Sequence, residues 1–115
     1  MKPANYAKLI QWLLHSLGAT EEYTGFPHIV YAVQLCINDP KRLQLITKMV
    51  YLDVAGRYGT NWKAVERNMR TVVAVAWKTN PLLLSELAGY PLKGKPNNGR
   101  FLAILAHFCA KIIII

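Results

Sequence analysis

The segment from residue 51 to residue 77, YLDVAGRYGTNWKAVERNMRTVVAVAW, constrains the fold of this chain more than any other part of the sequence. Gly59 separates a short helical pattern from a longer one and can adopt the left-handed conformation that a tight turn requires. Ala55 is small enough for two helices to approach closely, and Val65 faces back toward the first helix. The spacing therefore predicts a helix-turn-helix over about residues 51–77.

The second helix of this unit has two different faces when its residues are placed at the helical period of 3.6. One face is an apolar stripe, formed by Trp62, Val65, Met69, Val72, Val73 and Ala76. The opposite face is basic and otherwise small, with Glu66 at its edge, and consists of Lys63, Arg67, Arg70, Thr71 and Ala74. We therefore expect the helix to bury one face and to present three cations on the other.

Two interpretations of the basic face remain open from the residues alone. A helix of this kind fits the DNA major groove, where arginine pairs with guanine and glutamate accepts a hydrogen bond from the cytosine amino group. Such contacts discriminate between bases by roughly 1–3 kcal/mol. The alternative is a solvated face on which Glu66 and Arg70 form an ion pair one helical turn apart, worth about 0.2–0.5 kcal/mol.

The rest of the chain repeats hydrophobic residues at intervals of three and four rather than two, which predicts helices and no strand. Asn5 caps a first predicted helix that ends near Leu17, and Gly18 stops it. The further predicted helices run from Gly25 to Ile37, from Lys41 to Val50, from Pro81 to Leu87, and from Asn97 or Asn98 through Phe108. We predict an all-α fold, a compact bundle of about six helices in a single domain over residues 1–115.

The charge of the chain favours a nucleic-acid partner, because a formal net charge of +8 on 115 residues surrounds the molecule with a basic field. Positive residues also flank the helix-turn-helix, at Lys41, Arg42 and Lys48 before it and at Lys93, Lys95 and Arg100 after it. These side chains are candidate contacts to DNA phosphates, which position a protein and make its binding sensitive to salt. Ordinary solubilising charge is the alternative at each position.

The residues that usually carry catalysis or metal binding are isolated in this sequence. Cys36 and Cys109 have no Cys or His at the spacing of metal ligands, so we predict that both lie in the core. His15, His28 and His107 match no catalytic pattern. We therefore expect no enzymatic activity, no metal and no cofactor.

One family resemblance covers nearly the whole chain. Residues 46–77, together with LLHSLGA at 13–19, Ala88-Gly89-Tyr90 and Lys95-Pro96-Asn97, resemble the DNA-binding effector domain of the sporulation master response regulator. Three motifs carry the resemblance: V-E-R-x-x-R at residues 65–70, V-A-W at 75–77 and K-P-x-N at 95–98.

The resemblance implies that the second helix enters the major groove of TGTCGAA-type boxes, often as a tandem pair of molecules. Glu66, Arg67 and Arg70 match the residues that read bases. Thr71 stands where the family has a phosphate-contacting His, and Ala64 stands where it usually has an Arg. Lys63 is placed to replace one lost phosphate contact. The predicted phosphate contacts are Lys63 and Thr71 on this helix and, from the flanking basic residues, Lys41, Arg42, Lys48 and Lys95.

The expected partners follow from the same resemblance. Double-stranded DNA comes first, with a possible homodimer on DNA and the sigma subunit of RNA polymerase, which the surface between residues 78 and 99, including the segment 79–86, helps to contact in the family. That segment is more apolar here than is usual in the family, and the loop after it is shorter. A protein-interaction module, or a competitor of a full-length regulator that has lost promoter activation, is the alternative function.

The two ends of the chain raise further expectations. Related regulators carry an amino-terminal receiver domain, which 115 residues cannot accommodate, so we expect either a cut piece or a free-standing regulator without phosphorylation control within the chain. Residues 101–115 are too short and too interrupted to span a membrane, and no signal peptide precedes the domain, which predicts a cytoplasmic protein. The four terminal isoleucines either extend the last helix into the core or a dimer seam, or contact a membrane surface.

Overall fold

Helices account for the regular structure in the part of the chain that the computed structural model describes, residues 5–114, with side chains described through Ile112. Over this range the α-helices are α1 (Ala7–Ser16), α2 (Gly25–Asn38), α3 (Leu52–Tyr58), α4 (Trp62–Thr79), α5 (Pro81–Ala88) and α6 (Asn98–Ile114). A 3-10 helix (Pro40–Gln44) and a single π-helical turn (Thr47–Tyr51) link α2 to α3. Residues 5–114 contain no strand, and the all-α prediction is confirmed.

The core lies around α2, which packs against α1, α4 and α6. Apolar residues recur every three or four positions in each of these helices, so each contributes one stripe to a shared interior. Ile29 of α2, Met69 of α4 and Phe101 of α6 are fully buried there, as is Leu14 of α1. Helix α4 therefore packs on the core through its apolar face, and its other face lies outside the core.

Gly25 sets how closely α2 approaches α4. A Cβ atom at this position would lie 2.2 Å from the backbone oxygen of Asn68. No Cβ atom fits at that distance, so only glycine allows the first turn of α2 to lie directly on the backbone of α4. The close crossing fixes the middle of α4 against the core.

The predicted helix from Lys41 to Val50 is wrong as a continuous element. The chain forms a 3-10 helix to Gln44, and Leu45 leaves helical geometry with φ −137° and ψ 66° before the π-helical turn begins. Arg42 stabilises this break, because its guanidinium donates a hydrogen bond to the backbone oxygen of Met49 and forms an ion pair with Asp53. The spacing of hydrophobic residues does not predict these contacts of the Arg42 side chain.

Two smaller corrections concern the helix ends. Trp62 was predicted on the buried stripe of α4, but it is the first residue of that helix and is 39% exposed. Asn5 does not sit at the cap position of α1, which Tyr6 occupies, although its Oδ1 accepts a hydrogen bond of 2.9 Å from the backbone N–H of Ala7. The start of α1 thus lies one residue later than predicted, a difference within the usual range for helix ends.

The last helix runs to Ile114, as far as the description extends. Ile112 is 40% exposed, and the roles predicted for the terminal isoleucines fall on side chains that lie mostly outside the described residues. Among the described helices, none combines the length and the apolar character needed to cross a membrane.

Candidate nucleic-acid interface

The connection between α3 and α4 is a tight turn of three residues, 59–61. Gly59 has φ +64° and ψ 38°, the left-handed conformation predicted for it, and the N–H of Thr60 donates to the backbone oxygen of Ala55 over 3.0 Å. Asn61 then caps α4, because its Oδ1 accepts a hydrogen bond of 2.9 Å from the N–H of Ala64. The turn therefore ends one helix and starts the next without a flexible linker.

The two faces of α4 separate as the sequence predicts, apart from Trp62. The buried residues are Val65, Met69, Val72, Val73 and Ala76. Lys63, Arg67 and Arg70 are exposed and recur at intervals of four and three residues, so they lie along one side of the helix. A basic stripe that faces away from the core is the first requirement for a helix that enters a nucleic-acid groove.

The ion pair considered as an alternative is present. Nη2 of Arg70 lies 3.4 Å from Oε2 of Glu66, with the two side chains 59% and 34% exposed. A pair this exposed contributes about 0–1 kcal/mol because water screens it. The pair can therefore open at small cost, and its presence is compatible with base contacts by either residue.

Two of the predicted phosphate contacts on α4 have partners within the chain. The hydroxyl of Thr71 donates to the backbone oxygen of Arg67 over 3.2 Å, so its one donor must rotate before it can reach a phosphate. Nζ of Lys63 lies 5.8 Å from the centre of the Trp62 ring, within the range of a cation–π contact. Lys63 keeps its charge in this arrangement and remains exposed.

The predicted phosphate contacts that precede α3 differ in their availability. Lys41 is exposed on the 3-10 helix, and Lys48 is exposed on the π-helical turn. Arg42 is only 22% exposed and lies 2.5 Å from Asp53 and 3.9 Å from Asp39. The hydrogen bond to Asp53 raises the pKa of Arg42, so the group stays charged, but the two carboxylates offset that charge within the chain.

Lys95 lines a surface groove next to α4. The groove has a volume of about 900 Å³ and lies between the π-helical turn, α4 and the start of α6, with Glu66, Arg70, Lys95 and Arg100 among its lining residues. The guanidinium of Arg100 lies 5.2 Å from the ring of Tyr90, which holds it near the surface. The groove thus joins the basic loop after α5 to the basic stripe of α4.

The hydrogen bonds of the Asn98 side chain were not predicted from the sequence. Its side chain is buried and its Nδ2 donates two hydrogen bonds of 3.0 Å, one to the hydroxyl of Tyr51 and one to the backbone oxygen of Glu66. The K-P-x-N motif contains this residue, so the signal was present in the sequence. Its partners are 47 and 32 residues away, which no local pattern reveals.

Of the Cys and His residues that were predicted to be isolated, His15 contacts the exposed carboxylate of Glu21, whereas the two cysteines lie in the core. Cys36 and Cys109 are both buried, as predicted, and burial raises the pKa of each thiol to about 11. Within residues 5–114, no three His, Cys, Asp or Glu side chains lie close enough together to hold a metal ion. Thiol chemistry at neutral pH is therefore disfavoured at both positions.

The fold and this surface define a class: small all-helical domains that present one basic helix after a tight glycine turn. This chain belongs to the family of the sporulation initiation factor Spo0A C terminal, whose family model matches residues 10–109. The family consists of DNA-binding effector domains, so the chain is a DNA-binding regulatory domain. The family resemblance noted in the sequence is confirmed.

Proposed function

We propose that this domain is a sequence-specific transcription regulator that reads TGTCGAA-like boxes by inserting α4 into the DNA major groove. The observation that carries the proposal is the exposed stripe of α4, on which Arg67 and Arg70 stand one turn apart after a tight, capped turn. Arg67, Arg70 and Glu66 are assigned to base edges. The opening of the Glu66–Arg70 pair frees one donor group and one acceptor group for bases.

Phosphate contacts hold the helix in register in this proposal. Lys63 and Thr71 flank the base-reading residues on α4, while Lys41, Lys48 and Lys95 supply charge from neighbouring elements. Arg42 contributes less, because Asp53 and Asp39 already neutralise much of its charge. These contacts set affinity and salt dependence, whereas the stripe on α4 sets the preferred sequence.

Protein partners form a second part of the proposal. Leu82 of α5 is 78% exposed, the largest exposure among the described large hydrophobic side chains, and it lies in the segment assigned to the sigma subunit of RNA polymerase. A single exposed leucine is ordinary on a protein surface, so this part of the proposal rests on the family resemblance. A second copy of the domain on adjacent DNA completes the proposed partners. A module that serves protein contacts alone, without base reading, is the alternative.

The proposal is tested by fluorescence-anisotropy titration of the protein with a TGTCGAA duplex and a scrambled duplex at several salt concentrations. We expect tighter binding to the box, and we expect Arg67→Ala to weaken box binding roughly ten- to hundredfold while changing scrambled binding little. Lys78→Ala is the matched control, since Lys78 is exposed on the same helix and carries the same charge. It lies about 16 Å along the axis from Arg67.

Equal binding of the wild-type protein to both duplexes would reject base reading and place the protein-interaction module first. An equal effect of Arg67→Ala and Lys78→Ala would reject the assignment of Arg67 to a base and leave only basic attraction along the helix.

A further inference from the structure

We propose that Asn98 is a positioning residue that holds the DNA-reading part of α4 in place from the start of α6. This inference rests on the proposed function, because it assigns to Asn98 a share of the sequence preference of α4. The buried amide joins three elements that are remote in sequence: α6 through its own backbone, the π-helical turn through Tyr51 and α4 through the backbone oxygen of Glu66.

The chemistry of the two hydrogen bonds fixes the orientation of the amide. The backbone oxygen of Glu66 is an acceptor only, so the group that faces it at 3.0 Å must be the amide nitrogen of Asn98. The second hydrogen of that nitrogen then points to the hydroxyl of Tyr51, also at 3.0 Å. Both donors of the amide are therefore used, and the loss of either bond leaves a polar group without its partner on a side chain that is only 8% exposed.

The bridge contacts α4 at the backbone oxygen of Glu66, next to the residues that are proposed to read bases. Glu66 is itself in the base-reading set, and Arg67 follows it directly, so the bridge holds the backbone at the start of the reading stripe. The side chains of a binding site must stay within about 0.5 Å of their productive positions to bind well. Without the bridge, α4 keeps its contact with Gly25 at Asn68 but loses its link to α6 and the π-helical turn at Glu66. A tilt of α4 about the remaining contact degrades base contacts more than it degrades phosphate attraction.

Asn97 provides a matched control next to Asn98. Its Oδ1 accepts a hydrogen bond of 2.8 Å from the N–H of Arg100, and its backbone oxygen accepts one of 2.9 Å from Phe101. These contacts cap α6 and do not touch α4. Asn97→Ala therefore weakens the same end of α6 without cutting the bridge.

The experiment measures the ratio of affinities for a TGTCGAA duplex and a scrambled duplex, at one salt concentration and well below the unfolding midpoint of every variant. We expect the ratio to fall about three- to tenfold in Asn98→Ala, because misplaced base contacts lose part of their discrimination while phosphate attraction is retained. Tyr51→Phe should give a smaller fall in the same direction, and it serves if Asn98→Ala does not fold. The ratio should not change in Asn97→Ala.

Hydrogen exchange of the backbone amides of residues 62–70, measured without DNA, gives a second readout. We expect faster exchange in Asn98→Ala and in Tyr51→Phe than in Asn97→Ala. Unchanged ratios and unchanged exchange in the first two variants would overturn the positioning role, as would an equal effect of Asn97→Ala. If the wild-type protein shows no preference between the duplexes, the proposed function fails, and exchange alone decides whether the bridge holds α4.

Discussion

Single positions show how little freedom the core leaves beneath α4. Gly25 lies against the backbone of Asn68, so the smallest possible side chain would force α2 away from α4. Gly56 also lies in a helix, but a Cβ atom there would meet nothing within 4 Å. The two glycines therefore have opposite physical meanings, since one is required for packing and the other only adds backbone entropy to the unfolded chain.

These environments predict opposite signs for the same substitution. Gly25→Ala should lower the free energy of unfolding by about 1–3 kcal/mol, because the neighbouring backbone must move to admit the methyl group. Gly56→Ala should raise it by about 0.4–1 kcal/mol, because alanine restricts the unfolded chain and favours the helix. Urea unfolding followed by circular dichroism measures both. Equal effects of the two substitutions would show that α2 and α4 are not in the close contact described.

His28 gives a pH-dependent contribution at the residue scale. The side chain is 3% exposed, its ring centre lies 5.1 Å from that of Tyr58, and its Nδ1 has no hydrogen-bond partner within residues 5–114. Burial lowers the pKa of His28 below the ordinary value of 6.5, because the charged imidazolium would lose its hydration. Below pH 6.5 the unfolded state therefore binds more protons than the folded state.

The free energy of unfolding should accordingly show no loss from His28 above pH 6.5 and should fall as the pH drops below that value. The slope contributed by one histidine is at most about 1.4 kcal/mol per pH unit. His28→Gln should flatten the free energy of unfolding between neutral and mildly acidic pH, as measured by urea titration. His107→Gln, which changes an exposed histidine, is the control. The same slope in wild type and His28→Gln would assign the pH dependence to other groups.

At the scale of helices, the parts predictable from sequence are those governed by local rules. The helical period located the buried face of α4, and proline located the first residue of α5, because both signals act within a few residues. The break at Leu45 was not predictable, since it depends on Arg42 reaching Met49 and Asp53. The Asn98 bridge was missed for the same reason. The DNA contacts of Glu66, Arg67 and Arg70 stay predictions until DNA binding is measured.

Substitutions of Asn61, the cap of α4, distinguish the stability of the helix from its attraction for DNA. Asn61→Ala removes the hydrogen bond to the N–H of Ala64 and should cost about 1 kcal/mol of unfolding free energy. Asn61→Asp keeps a capping oxygen and adds a negative charge that favours the helix dipole, so stability should be retained. The same charge lies next to Lys63 and should weaken DNA binding. Thermal unfolding and anisotropy titration together distinguish the two variants.

Retained DNA affinity in Asn61→Asp would mean that the amino end of α4 does not approach phosphates. Asn80→Asp provides the comparison at a helix start away from the stripe, since Asn80 caps α5 by accepting from the N–H of Leu83 over 3.2 Å. Because the substitution also removes the hydrogen bond from Nδ2 to the backbone oxygen of Ser16, affinities are compared well below the unfolding midpoint of this variant. It adds the same charge to the molecule and should change DNA affinity less.

The dimensions of the described chain limit how copies fit on DNA. Its principal extents are 35, 34 and 26 Å, whereas a seven-base-pair box is about 24 Å long. One molecule is therefore longer than one box, and two molecules on the same face of the duplex need centres about one helical turn, 34–36 Å, apart. For the proposed tandem pair, we expect boxes whose centres are separated by about 10 base pairs.

The charge of the whole molecule leads to a final prediction about salt. A formal net charge of +8 attracts any DNA, but only cations that contact phosphates release counterions and steepen the dependence of affinity on salt. Lys95 lines the groove beside α4, whereas Lys8 is exposed on α1 and does not line it. Lys95→Ala should reduce the slope of log affinity against log salt by about 0.9, the value for one phosphate contact.

Lys8→Ala removes the same formal charge and should leave that slope nearly unchanged, so the pair of variants separates local contact from overall attraction. Both slopes come from anisotropy titrations of one TGTCGAA duplex across a series of salt concentrations. If Lys8→Ala lowers the slope as much as Lys95→Ala does, the attraction belongs to the whole surface, and the loop after α5 does not contact DNA. If only Lys95→Ala lowers it, the groove beside α4 marks the path of the phosphate backbone.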